Sequence, residues 1–96
     1  MALQNKDSVS RFIFFYSILG LIKGKQDKID DFIRIKEPSV KYEASTNPSR
    51  PRHMETIYTY YRNQVSHTTK RSDLLKIRSE IENLLPRFTE HVKVAI

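Results

Sequence analysis

The chain contains no cysteine, no tryptophan and only two glycines among its 96 residues. Without cysteine, neither a disulfide framework nor a thiolate metal site or nucleophile can form. The shortage of glycine argues against a turn-rich β architecture, because many tight turns need a residue that tolerates positive φ. The missing cysteines are consistent with a reducing compartment, and we expect a cytoplasmic protein.

Long apolar segments are also missing. The longest runs from Phe12 to Ile22 and is interrupted by Ser17 and Gly20, whereas crossing a bilayer takes about 20 residues. A secretory signal is the alternative, but no small-x-small cleavage site follows the run. We therefore expect a buried core helix here and no membrane association.

Positive charge is the feature that is present in excess. Seventeen Lys and Arg against eleven Asp and Glu give a formal net charge of +6 and a pI near 9.7. Cationic surfaces bind polyanions, because contacts with phosphates release condensed counterions. Nucleic acid is therefore the leading class of partner, and the alternative is a surface that is charged only for solubility.

Apolar periodicity predicts four helices and an all-α, four-helix antiparallel bundle. We treat residues 1–96 as one domain, which can be a fragment of a longer protein. Ser8 or Ser10 is placed to cap a first helix and Gly24 to end it, and Ser72 is placed to cap the fourth. Residues 37–52 contain three prolines and show no periodicity. The predicted ranges are about 8–23, 26–36, 53–66 and 72 to the end, with a kink or interruption at Pro86.

The same periodicity predicts which side chains are buried. Met54, Tyr58 and Tyr61 fall on the apolar stripe of the third helix, and Leu74 on that of the fourth. Tyr60 lies off the stripe and stays open as a contact for a base.

Polar residues outside the core are expected to lie on the surface. His53 and His91 are assigned there, and Asp30 is expected to pair with Arg34 at i, i+4. Asp27, Asp30 and Asp31 share a helical face and could coordinate a cation, but neighbouring Lys and Arg residues neutralise them more simply. We therefore predict no metal and no cofactor.

Residues 62–67 read RNQVSH and carry the chemistry that the sequence suggests. Arg62 offers a permanent planar cation for a phosphate oxygen, and His67 can move protons near neutral pH. Asn63 and Ser66 can hydrogen-bond either of them. On an ideal helix Arg62 and His67 lie about 140° apart. One regular helix cannot aim both at one atom. Either the helix unwinds near Ser66 or a second copy contributes to the site, and we favour a site assembled from two copies at a two-fold interface.

The segment YYRNQVSHTT at 60–69, followed by a long apolar-striped helix, resembles the HEPN superfamily of helical ribonuclease and nucleotide-binding domains, and its Apea-like branch in particular. The resemblance implies a metal-independent endoribonuclease that acts as a homodimer on RNA and leaves a cyclic phosphate. Arg62 and His67 would be catalytic, with Asn63 and Ser66 supporting them. It also implies a toxin-antitoxin, anti-phage or RNA-processing setting, with an antitoxin protein as a possible partner.

One departure from the family is visible. Many relatives carry an acidic residue on the first core helix, whereas this chain has none between Asp7 and Asp27. Gly20 occupies the position where we would expect one, which leaves any acid-assisted mechanism in doubt.

Further contacts with RNA are expected around the motif. The candidates are Lys70 and Arg71 just after it, Arg50 and Arg52 in the proline-containing segment, and Tyr60. Three alternatives remain. The chain can be a non-catalytic helical module that dimerises or binds nucleotide or nucleic acid, or a DNA-binding domain, or the motif can consist of ordinary polar residues at a helix end.

Overall fold

A computed structural model describes residues 8–68 and 70–96. Within these ranges the chain forms four helices and one two-stranded sheet, so the predicted all-α helical bundle is confirmed. None of these helices is both long and apolar enough to cross a bilayer. In chain order the elements are α1 (Ser8–Lys23), α2 (Gln26–Lys36), β1 (Tyr42–Ala44), β2 (Met54–Thr56), α3 (Ile57–His67) and α4 (Arg71–Ala95).

The ends of α1 and α2 follow from local sequence. Gly24 has a φ of 99°, a left-handed conformation that side chains with a Cβ rarely adopt, and it ends α1 as predicted. Helix α2 stops at Lys36, two residues before Pro38. Ser8 and Ser10 both lie inside α1 rather than before it.

Residues 37–52 contain strand β1, which was not predicted, and the third helix begins later than predicted. Strand β1 pairs antiparallel with β2, with Glu43 opposite Glu55. Thr56 then caps α3, because its side-chain oxygen accepts from the backbone N–H of Thr59. His53 therefore precedes a strand instead of beginning a helix, and Met54 is 51% exposed instead of buried.

Helix α4 packs along both α1 and α3. It begins at Arg71 with Lys70 in the capping position and no side-chain cap, so the predicted cap at Ser72 is wrong. Pro86 lies inside α4 and does not interrupt it. A proline inside a helix costs about 3 kcal/mol, and α4 nevertheless continues past it, with Leu85 and Phe88 on either side buried in the core. Leu74 was predicted to be buried and is 39% exposed.

The core is aromatic at its centre. Phe88 lies against Phe12, with ring centroids 4.9 Å apart, and stacks on Tyr58 at 5.0 Å. Tyr16 completes the group at 6.4 Å from Phe88. Burial of Tyr58 confirms its predicted place in the core, whereas Tyr61 is only partly buried. These rings join α1, α3 and α4, which fixes the position of the motif at the end of α3.

Candidate functional site

Arg62 projects from α3 against helix α1. Its guanidinium carbon lies 5.4 Å from the centroid of the Tyr16 ring, within the range of a cation–π contact. One nitrogen donates to Asn63 Oδ1 at 3.0 Å. Burial raises the pKa of the Tyr16 hydroxyl, which is bonded to Thr59 at 2.6 Å, so the ring stays neutral beneath the cation.

Arg62 is half-buried and yet forms no ion pair with a described residue, whereas the other arginines that form none there, Arg11, Arg52 and Arg71, are exposed. Arg34, Arg50, Arg78 and Arg87 each pair with a carboxylate. Arg62 forms no ion pair with any residue in the described ranges, and Asn63 is its only side-chain hydrogen-bond partner there. Its remaining N–H groups can therefore bind an anion.

Asn63 supports Arg62 rather than the imidazole of His67. Its Nδ2 donates to Glu55 Oε2 at 3.1 Å and to Gln26 Oε1 at 3.3 Å, while its Oδ1 accepts from Arg62. Ser66 donates to the backbone carbonyl of Arg62 at 3.5 Å, which is at the limit of a hydrogen bond. Neither side chain forms a hydrogen bond with His67 in the part of the chain that the structure describes, so neither sets the tautomer of the imidazole.

His67 is the last residue of α3, and its side chain is exposed. It lines a polar cavity of about 100 Å³ together with Asn63, Arg50 and Glu55. Arg62 does not line this cavity. Within one chain Asn63 hydrogen-bonds Arg62 and lines the same cavity as His67, but the structure does not bring Arg62 and His67 into one pocket.

The remaining predicted RNA contacts have different surroundings. Arg50 is tied to Asp27 at 3.3 Å and to His53 at the same distance, on the inner side of the loop that joins the strands. Arg52 and Lys70 are exposed. Arg71 is also exposed and lines a groove at the start of α4, and Tyr60, half-buried, packs edge-on against Tyr61 with ring centroids 5.2 Å apart.

The acidic face of α2 is divided among separate partners. Asp27 bonds Arg50, and Arg34 pairs with Asp31 at 3.0 Å instead of with Asp30 as predicted. Asp30 is turned inward, because the hydroxyls of Thr56 and Thr59 donate to it at 2.7 and 2.6 Å. Desolvation raises the pKa of Asp30 despite these bonds. No group of three or more potential metal ligands occurs within residues 8–68 and 70–96.

Two residues of the site, Glu55 and Gln26, were not predicted from the sequence. Glu55 was placed on a helix, yet it lies on β2 and is only 2% exposed. Thr56 is the one local signal. A Thr in this position can cap a helix, which would have moved the predicted start of α3 to Ile57 and left Glu55 before the helix. His91 was also misassigned: its side chain is 12% exposed, and its Nε2 lies 2.8 Å from Glu37 Oε1.

Comparison of the chain with known proteins finds no matching family model, no matching curated protein and no matching solved structure.

Proposed function

We propose that this chain is a metal-independent endoribonuclease whose Arg62 and His67 act in a site assembled at a homodimer interface. The observation that carries the proposal is the set of contacts that the Arg62 guanidinium makes. This half-buried cation is held by Tyr16 and Asn63 and lacks a carboxylate partner among the described residues. Such a group suits a phosphate oxygen better than a role in stabilising the fold.

The chemistry calls for more than one copy. Attack of the ribose 2′-hydroxyl on the neighbouring phosphorus needs a base for that proton and an acid for the departing 5′-oxygen. It also needs cationic donors for the charge that develops on the non-bridging oxygens. A single chain places one His67 at the end of α3, whereas two copies supply two imidazoles and two guanidiniums without a metal.

A groove beside the motif, lined by Arg71 and Arg78 as well as by apolar side chains, supports such pairing. Val65, one residue before Ser66, lines it together with Leu74 and Leu75 of α4, and its volume is about 340 Å³. Leu74 is 39% and Leu75 54% exposed. A second copy that covers this groove would bury these leucines and bring the two α3 ends close together.

Cleavage of single-stranded RNA in EDTA by the purified chain tests the proposal. We expect wild type to cleave and Arg62→Ala and His67→Ala each to abolish cleavage, with folding and dimerisation unchanged. Arg34→Ala is the matched control, because it removes a guanidinium from an exposed ion pair and should leave the rate unaltered. A strictly monomeric wild type, no cleavage by wild type, or cleavage at the wild-type rate by both variants would contradict the proposal.

The second candidate function is a non-catalytic module that binds nucleotide or nucleic acid. The polar cavity that contains Arg50, Asn63 and His67 favours it, since the cavity offers donors and acceptors without the need for a second copy. RNA binding that is abolished by His67→Ala, in a wild-type protein that does not cleave, would select this function. Cleavage of RNA in the cytoplasm under the control of an antitoxin is part of the first proposal. It is to be tested once cleavage by the purified chain has been observed.

A further inference from the structure

Glu55 is buried without a cation. Its residue surface is 2% exposed, and it forms no ion pair with any Lys, Arg or His that the structure describes. Burying a carboxylate is costly unless hydrogen bonds compensate for the lost water. Both bonds that Glu55 receives go to one oxygen, Oε2, from Gln26 Nε2 at 3.2 Å and from Asn63 Nδ2 at 3.1 Å.

These bonds determine which way the Asn63 amide faces. An amide has one donor end and one acceptor end. Because the carboxylate of Glu55 and the carbonyl of Gln26 both take the NH₂ group, Oδ1 must point to the other side. There it accepts from Arg62 at 3.0 Å. A reversed amide would present its NH₂ group to the guanidinium, donor against donor.

We propose that Glu55 is a positioning residue of the Arg62 site, which acts through Asn63 to fix the direction of the guanidinium. The relay runs from Glu55 on β2, through Asn63, to Arg62 on α3, and the Tyr16 ring bounds the far side of the guanidinium. This inference deepens the proposed function and rests on it for its catalytic consequence, but the relay itself can be measured without cleavage.

Three variants separate a positioning role from a general structural one. Glu55→Ala removes the acceptor and frees the Asn63 amide to turn. Glu55→Gln keeps an oxygen that can accept from both amides, so it should restore the arrangement. Glu43→Gln is the matched control, since it makes the same change at the exposed residue directly opposite on β1.

The first readout is the NMR signal of the Arg62 Nε–H group, assigned by its loss in Arg62→Lys. We expect Glu55→Ala to shift or broaden this signal, Glu55→Gln to keep it close to the wild-type position, and Glu43→Gln to leave it unchanged. An Arg62 signal that is identical in Glu55→Ala and wild type would overturn the inference, whether or not the protein cleaves RNA.

The second readout is the rate of cleavage. Loss of orientation should lower kcat in Glu55→Ala by about tenfold or more, with a smaller change in KM and partial rescue in Glu55→Gln. If wild type does not cleave, the proposed function fails while the NMR result still decides the role of Glu55. A changed Arg62 signal with an unchanged kcat would remove the catalytic part of the inference.

Asn63→Ala guards against a Glu55→Ala protein that does not fold. It cuts the same relay at its middle while leaving Glu55 bonded to Gln26. We expect the same change in the Arg62 signal. Where Glu55→Ala folds, adding it to Asn63→Ala should cause no further loss of rate, because the second change acts on a relay that is already broken. Additive losses would show that Glu55 acts independently of Arg62, which contradicts the proposal.

Discussion

Two clusters in this molecule use the same residue types, Glu, Arg and His, in opposite ways. In the first, Glu37 accepts from Tyr58 at 2.7 Å, from His91 at 2.8 Å and from Arg87 at 3.0 Å. In the second, Glu55 receives only amide donors, while Arg62 and His67 form no ion pair with any residue in the described ranges.

The difference separates a structural cluster from a candidate reactive one. At Glu37 the polar and charged groups bond to one another, and these bonds join the end of α2 to α3 and α4. At Glu55 the guanidinium and imidazole next to the relay keep donors that no described protein group uses. Residue type alone does not distinguish the two clusters; the identity of the carboxylate's partners does.

The largest expected effect comes from replacing each arginine by lysine. Lysine keeps the charge but loses the planar donors and the stacking surface, so Arg62→Lys should lower kcat about a hundredfold. Arg87→Lys should leave kcat unchanged, since Arg87 is an exposed member of the Glu37 cluster. Both rates are measured on the same single-stranded RNA in EDTA. Equal losses of kcat in Arg62→Lys and Arg87→Lys would contradict the proposed distinction between the two clusters.

Glu37→Ala should be the most destabilising change within the structural cluster. It leaves the Tyr58 hydroxyl and the His91 ring, both largely buried, without their acceptor. We expect a loss of about 2–3 kcal/mol in the free energy of unfolding, measured by urea denaturation. A loss below a tenth of that value would show that the cluster contributes little to stability.

The two acids Glu37 and Asp30 should respond oppositely to pH. Burial would raise the pKa of Glu37, but the bonds from His91 and Tyr58 and the Arg87 charge outweigh it, and its pKa is lowered from 4.5. Its contribution is therefore present above pH 4.5 and is lost as pH falls through the lower, folded value. The pKa of Asp30 is raised from 3.8, mainly by desolvation, so its contribution is present below that pH and lost as pH rises through the folded value.

Urea denaturation over a series of pH values tests this contrast. Glu37→Gln should reduce the loss of stability on acidification, and Asp30→Asn should reduce the loss as pH rises. Unchanged pH profiles in both variants would contradict the assigned directions.

The smallest effect is expected at an exposed pair near the end of α4. Lys93 lies 3.4 Å from Glu90, and the two side chains are 68% and 70% exposed. Lys93→Ala should change the free energy of unfolding by less than about 0.5 kcal/mol. A loss of unfolding free energy comparable to that in Glu37→Ala would mean that solvent exposure does not predict how much these ion pairs contribute to stability.

Periodicity predicted what depends on neighbours along the chain. Gly24 was recognised as the end of α1, and Tyr58 as a core residue, because both follow from spacing within one helix. Strands β1 and β2 were missed because three residues are too few to show an alternation, and their pairing joins segments about ten residues apart. Burial of Glu55 was missed for the same reason, since its partner Gln26 lies 29 residues away.

The amino-acid sequence by itself determined four helices, their apolar faces and a basic chain with an Arg-Asn-x-x-Ser-His segment at a helix end. Tertiary structure alone decided that Asn63 hydrogen-bonds Arg62, that Glu55 is buried and bonded to Asn63, and that the Asp30 side chain turns inward. The physical reason is that amphipathic spacing is a local property. The partner of a buried polar group, by contrast, depends on which distant element packs against it.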